Sequence, residues 1–237
     1  MQRHLKKPGY RHSITLSGLL ALILALTACS NASSGPTAQQ IISNAQAAMQ
    51  KITSYHFDLV ADHPGSGGLI VVTSANGDIL VPDKLQANAN ALVLGNVVQV
   101  QIIAIGDQQY VTDPVTGKWS RSGGLLDPRT LSDPKTGVSA IVGHLQNPST
   151  PTDSTVDGVS CWSINGKLDA KYLTAITGGG TPSGTLVNTT LCIGKKDNLP
   201  YLIRISGMTI QGDTNQTVRT FKLSKFGEPL TIVAPIS

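Results

Sequence analysis

The chain has 237 residues, 40% hydrophobic but only 4% aromatic, with 18 Lys and Arg against 14 Asp and Glu for a formal net charge of +4. Arg3, Lys6, Lys7 and Arg11 precede Cys29 and no acidic residue does, so the rest carries fourteen of each sign and is formally neutral. That balance, with no basic run interleaved with aromatics, argues against a nucleic-acid partner.

Residues 1–28 read as an export signal: a basic head, an apolar stretch from Leu16 to Leu26, and a small-residue site closing at Cys29. The stretch is shorter than the roughly 20 apolar residues that cross a hydrocarbon core as a helix. Leu26-Thr27-Ala28-Cys29 resembles the lipobox of bacterial lipoproteins, in which the cysteine is acylated through its sulfur and becomes the new N-terminus. Cys29 is therefore the expected lipidation site, with the chain held on the outer face of the cytoplasmic membrane, in the cell envelope. Residues 29–36, rich in Ser, Asn and Gly, read as a flexible tether. An ordinary secretory cleavage site followed by a chance cysteine is the alternative.

Thr37 and Gln40 then fit a capping box. Ile41, Ile42, Ala45, Ala48, Met49 and Ile52 recur at helical spacing, which predicts a helix ending near Thr53. Tyr55, Phe57, Leu59 and Ala61 alternate with wetter residues as in a half-buried strand. Gly67-Gly68 continues the break after it. Stretches 69–73 and 79–82 read as strands joined by a tight turn at Asn76-Gly77, and further strands are predicted over 85–94, 97–105 and 109–112. Pro134 after Asp133 opens a helix with Val138, Ile141, Val142 and Leu145 on one face, weakened by Gly137 and Gly143. A strand over 155–165, a short helix over 169–176, a loop at Gly178-Gly179-Gly180 and strands over 185–193, 199–210 and 217–224 complete the chain. Short turns between successive strands favour antiparallel pairing. The expected fold is α+β: a single domain over 37–237, with the sheet curving around helices and one side wet.

Cys161 and Cys192 form an isolated pair, which in an oxidising exterior reads as one structural disulfide, two buried free thiols being the alternative. Neither they nor His56, His63 and His144 show metal-ligand spacing, so no metal or other cofactor is expected. There is no Gly-x-Ser-x-Gly elbow and no Gly-Lys-Ser/Thr phosphate loop. The inventory favours binding over catalysis and an enzyme is not expected; a dispersed Ser-His-Asp site is the remaining catalytic reading. Small aliphatic residues with few aromatics suit an ordinary core or an acyl-lined cavity alike. Trp119 reads either as packing at the mouth of the sheet or as a lipid-headgroup contact.

The runs Pro36 to Ile42 and Lys51 to His56, Tyr110-Val111-Thr112 with Trp119-Ser120, Leu126-Asp127-Pro128, Asp133 to Val138, and Leu223-Ser224-Lys225-Phe226-Gly227 follow one another across nearly the whole mature chain. In order and spacing they resemble the LppX/LprAFG family of bacterial lipoproteins. The resemblance implies a curved antiparallel half-barrel wrapped around helices, with a hydrophobic cavity. It implies binding of diacylated or triacylated lipids or glycolipids and their movement within the envelope, with an envelope transporter as partner. Matched to the family, Ile41, Ala45 and Met49 fall on the cavity-side helix, and Phe57, Leu59, Val100 and Ile102 on the sheet side. Phe226 stands where the family usually has tryptophan, and the Cys161/Cys192 pair is unlike its best-known members. Nothing in the sequence asks for a stable oligomer, so a monomer is expected. The competing reading is a lipid-anchored structural or regulatory module with a filled core that binds an envelope protein.

Overall fold

A computed structural model describes residues 35–65, 70–122, 128–174 and 184–236. The export signal, Cys29, the tether before Gly35, Gly67-Gly68, Leu126-Asp127 and Gly178-Gly179-Gly180 lie outside the described residues.

Helix α1 (Ala38–Met49) starts with the capping box its sequence encodes. The Gln40 amide donates to Thr37 Oγ1 at 3.2 Å, and the Thr37 amide donates to Gln40 Oε1 at 2.9 Å. Six strands follow: β1 (Ser54–Asp62), β2 (Ile70–Leu80), β3 (Lys84–Val93), β4 (Asn96–Ile105), β5 (Gln108–Thr112) and β6 (Trp119–Ser122). Two short helices, α2 (Pro128–Ser132) and α3 (Val138–Gly143), separate them from β7 (Thr152–Val156) and β8 (Val159–Asp169). A 3-10 turn, Ala170–Leu173, leads on to β9 (Leu186–Gly194), β10 (Pro200–Ser206) and β11 (Val218–Ser224).

All eleven strands make one antiparallel sheet in the order β6-β5-β4-β3-β2-β1-β11-β10-β9-β8-β7. It is two meanders joined at a central seam, where Phe57 faces Leu223 and Leu59 faces Phe221. The α+β class is as expected, but the curved half-barrel with its hydrophobic cavity is not what forms. The sheet is open and uncurved, with β6 and β7 as its outer strands. Curvature needs bulges or kinks repeated across neighbouring strands, whereas the register shifts here fall at Val72/Ser74 and Pro200/Leu202. The helices do not sit inside a hollow. Ile41, Ile42, Ala45 and Met49 of α1 and Val138, Ile141 and Val142 of α3 form one continuous core with Phe57, Leu191, Ile203 and Phe221 from a single sheet face.

Three local expectations change as well. Asn76-Gly77 is no turn, because β2 runs unbroken through it. A Cβ on Gly77 would come within 2.1 Å of Gln86 O, so glycine there permits close approach of β3. Gly143 serves the same purpose between helices: a Cβ would meet Gln46 of α1 at 1.7 Å. The single strand expected over 155–165 is instead a hairpin turning at Asp157-Gly158. The neighbouring strands β8 and β9 bring Cys161 and Cys192 within disulfide reach, with Cα atoms 5.5 Å apart.

Candidate functional site

Antiparallel partners share a sheet face, and residues two apart stay on it, so the registers of β1 to β5 lay out the core-facing side in rows. Tyr55, Ile79, Leu85 and Ala104 form the first row, each exposed by 1% or less. Phe57, Gly77, Ala87 and Ile102 form the second, extended by Val111. Leu59, Ala75, Ala89 and Val100 form the third. In the fourth, Ala91 lies between Val98, half-buried, and Val72, 39% exposed. Side chains shrink to alanine and glycine in β2 and β3; Ala87, Ala89 and Ala91 of β3 are buried, and exposure rises at Val100 and Val98 of β4 and at Val72. The result is an apolar, smooth and partly open surface on one end of the sheet.

The opposite face holds this register in place. Asn88 and Asn90 alternate with the alanines of β3; Asn90 Nδ2 donates to Ser74 Oγ at 2.9 Å and Asn88 Nδ2 to Asn76 Oδ1 at 3.5 Å. A one-residue slip would bring asparagines into the core. Back on the core-facing side, across the seam, Arg219 pairs with Ala61 and is buried against Asp213 and Thr209. Burial pushes the Asp213 carboxyl up, but Arg219, the Thr209 hydroxyl and the Gly65 and Ile210 amides outweigh it and hold it down to about 2. This cation is neutralised internally.

Two voids adjoin α1. One, of about 490 Å³, is a surface depression bordered by Asn44, Lys51, Asp197 and Leu199, a mixed polar rim on the solvent side of the helix. The other, of about 270 Å³, lies at the first-row end of the sheet between Met49, Tyr55, Val81, Leu131 and Val138.

The residues expected to contact ligand are divided by the fold. Ile41, Ala45, Met49, Phe57 and Leu59 come together within the core, where Phe57 stacks on Phe221 at 5.4 Å. Ile102 packs against that core and Val100 lies one row beyond it, both half-buried. Trp119 pairs with Thr112 on edge strand β6, on the other face from Ile102 and Val111. Phe226, at the position of the family tryptophan, packs edge-on to Tyr201 at 5.3 Å. The alanine rows themselves were overlooked, although the alternation of Ala87, Ala89 and Ala91 with Asn88 and Asn90 was a readable signal. His56 Nδ1 lies 2.7 Å from Asp78, and His144 Nδ1 lies 2.8 Å from Ala140 O. Among the described residues no three His, Cys, Asp or Glu converge as a metal site.

A family model described as LppX_LprAFG lipoprotein matches residues 37–232. Relatives from Mycobacterium tuberculosis and Mycobacterium bovis, named LprF and described as diacylated glycolipid transporters, are 24% identical over 217 residues, spanning 86% of this chain and 79% of theirs. The crystal structure of LprF from Mycobacterium bovis superposes with a TM-score of 0.68 at 23% identity, over 86% of this chain and 100% of that one. That of the Mycobacterium tuberculosis lipoprotein LppX gives 0.59 at 20% identity, over 83% and 98% respectively.

Proposed function

The chain belongs to the LppX/LprAFG lipoprotein family, and on that premise we propose that it binds acylated lipids or glycolipids and carries them within the cell envelope. It is an envelope lipoprotein and not an enzyme. The observation that carries the reading is the match over 37–232, together with relatives named for diacylated glycolipid transport. The geometry that supports it is the open apolar face. Ala89 and Ala91 are buried, while Ala75, Val98 and Val100 are half-buried and Val72 is exposed, so the open part of the face lies beside the buried alanines. Acyl chains laid along these rows would leave water and cover that surface, at about 0.8 kcal/mol for each fully buried methylene. The sheet is open, so the chains would lie on a face rather than in an enclosed barrel.

In this proposal lipid on Cys29 tethers the protein to the outer face of the cytoplasmic membrane, and residues 29–36 give it reach to hand cargo to an envelope transporter. Lipid extracted from purified protein and read by mass spectrometry should contain diacylated or triacylated species in near-stoichiometric amount. Protein that is recovered empty and takes up no lipid ends the carrier reading. Cys29→Ala should move the protein out of the membrane fraction while leaving lipid uptake intact. A second reading, a lipid-anchored module that contacts another envelope protein, draws on the filled core between α1, α3 and the sheet. Crosslinking in cells that captures one protein partner irrespective of lipid would favour it.

A further inference from the structure

Strands β3 and β4 are joined by a two-residue loop, Leu94-Gly95, closed by the pairing of Val93 with Asn96. Both loop residues have positive φ, 49° at Leu94 and 82° at Gly95, in a kind of turn for which Asn-Gly is the favoured pair. Leu94 takes this left-handed conformation without burial in return: it is 77% exposed, and Val97 beside it is 75% exposed. An apolar side chain that is both conformationally disfavoured and left in water serves something outside the fold.

The polar–apolar alternation of the hairpin fails at this tip. Along most of its length the outer face is polar, with Asn88 paired to Gln101 and Asn90 to Gln99. At the tip the outer pair becomes Leu92 and Val97, while Ala91 and Val98 continue the core-facing side. The last turn is therefore apolar on both faces, which covering the sheet's own core does not require. The turn between β5 and β6 leaves the sheet at the same end, because β5 runs back along β4 from Ile105 toward the tip. It carries Val115, which is 91% exposed.

From Leu85 to Gly106 the sequence has no Asp, Glu, Lys, Arg or His. A partner selected by charge finds no mark on this hairpin, whereas charge at the tip would be the costly feature in hydrocarbon. The dimensions also fit a membrane surface. At about 3.4 Å per residue, Leu92 and Val97 stand about 7 Å behind Leu94, within the roughly 5–10 Å to which interfacial segments sink. The amides of Asn90 and Gln99 come next and suit hydrated headgroups. A tether of residues 29–36, at most about 29 Å when extended, keeps the domain within reach of the same bilayer. We infer that the β3–β4 tip is a second, non-covalent membrane contact, with Leu94 and Val97 entering the acyl region of one leaflet. It is distinct from the proposed cargo surface, since Leu92 and Val97 face away from the alanine rows.

The exported chain from residue 29, carrying Cys29→Ala so that no acyl group assists, is floated with phosphatidylcholine vesicles and with mixed phosphatidylcholine–phosphatidylglycerol vesicles. The expected result is saturable binding, alike on both and insensitive to salt, weakened roughly three- to tenfold by Leu94→Asn and again by Val97→Thr. No binding to either vesicle, or equal binding by the double variant, overturns the inference. Binding confined to the anionic vesicles and lost in salt overturns it in favour of an electrostatic contact. Wild type that self-associates through the tip, with vesicle binding unchanged in the double variant, overturns it in favour of a second copy. Leu94→Asn supplies the favoured Asn-Gly pair, so its melting temperature should hold or rise. A fall of several degrees would show Leu94 packed within the fold and refute the proposal. Uptake of dioctanoylglycerol from detergent reads the carrier proposal separately and should be equal in wild type and double variant. Its absence from both ends the carrier reading and leaves the tip to the vesicle result; its loss in the variant alone would make the tip part of the cargo site and refute a separate contact.

Discussion

Arg219 and Asp213 face one another inside the structure, with Arg219 6% and Asp213 7% exposed. Arg219 Nη2 donates to Asp213 Oδ1 at 3.1 Å, and the same carboxylate accepts from the Thr209 and Ile210 amides at 3.0 Å each. A buried carboxylate so surrounded is worth more to the folded state ionised than protonated. Its pKa is depressed from 3.8 to about 2, so its contribution is complete above about pH 4 and is lost as pH falls toward 2. Urea unfolding should show wild type losing on the order of 1–2 kcal/mol between pH 4 and pH 2 through this group. Asp213→Asn should lack that loss and should be destabilised by about 3–5 kcal/mol at pH 7, because the guanidinium stays buried without its counter-ion. A neutral-pH difference below 1 kcal/mol would show that solvent reaches the pair. Sequence alone placed Asp213 in a turn between strands, which is where it lies. Its partner was not readable, because only the register of β11 against β1 sets Arg219 on the core-facing side.

At the scale of elements, legibility followed the range of the interaction. Helix α1 was readable to its first residue, because the capping box and the apolar stripe are written within a few positions of each other. Strands β3, β4, β9 and β11 were readable from alternation. Asn76-Gly77 was misread because its glycine answers to a neighbouring strand and not to the local chain direction. A methyl there would come within 2.1 Å of Gln86 O and 2.7 Å of Ala87 Cα, both backbone atoms that yield only if β2 and β3 separate. Gly77→Ala is therefore expected to lower stability by about 1–3 kcal/mol in chemical denaturation, the range for overpacked interiors. Unchanged stability would mean that the two strands are looser at this point than their registers imply.

Across the whole sheet, cover is uneven. In β9 the last four residues, Leu191 to Gly194, are all buried, and the Cys161/Cys192 pair ties β9 to β8. In β4 only Ala104 is buried, and β6 is a four-residue edge strand with no buried residue. The sequence did not disclose this asymmetry, nor that the sheet stays open: alternation tells which residues share a face, whereas curvature and cover depend on bulges and on where helices land. Local opening free energies follow buried apolar contact, so hydrogen exchange should run in a definite order. Amides of the edge strands β6 and β7, which hold no buried residue, should exchange first, those of β4 next, and those of β9 and β10 last. Acyl chains seated on Val98, Val100 and Val72, beside the buried Ala89 and Ala91, would add the cover that those valines lack, so a bound diacylated lipid should slow exchange in β3 and β4 while leaving β9 and β10 near their unliganded rates. Protection that appears instead in β8 to β10, or a uniform rate across the sheet before lipid is added, would contradict the alanine rows as the place where cargo lies, because the open end would then be neither the least covered nor the one that a chain covers.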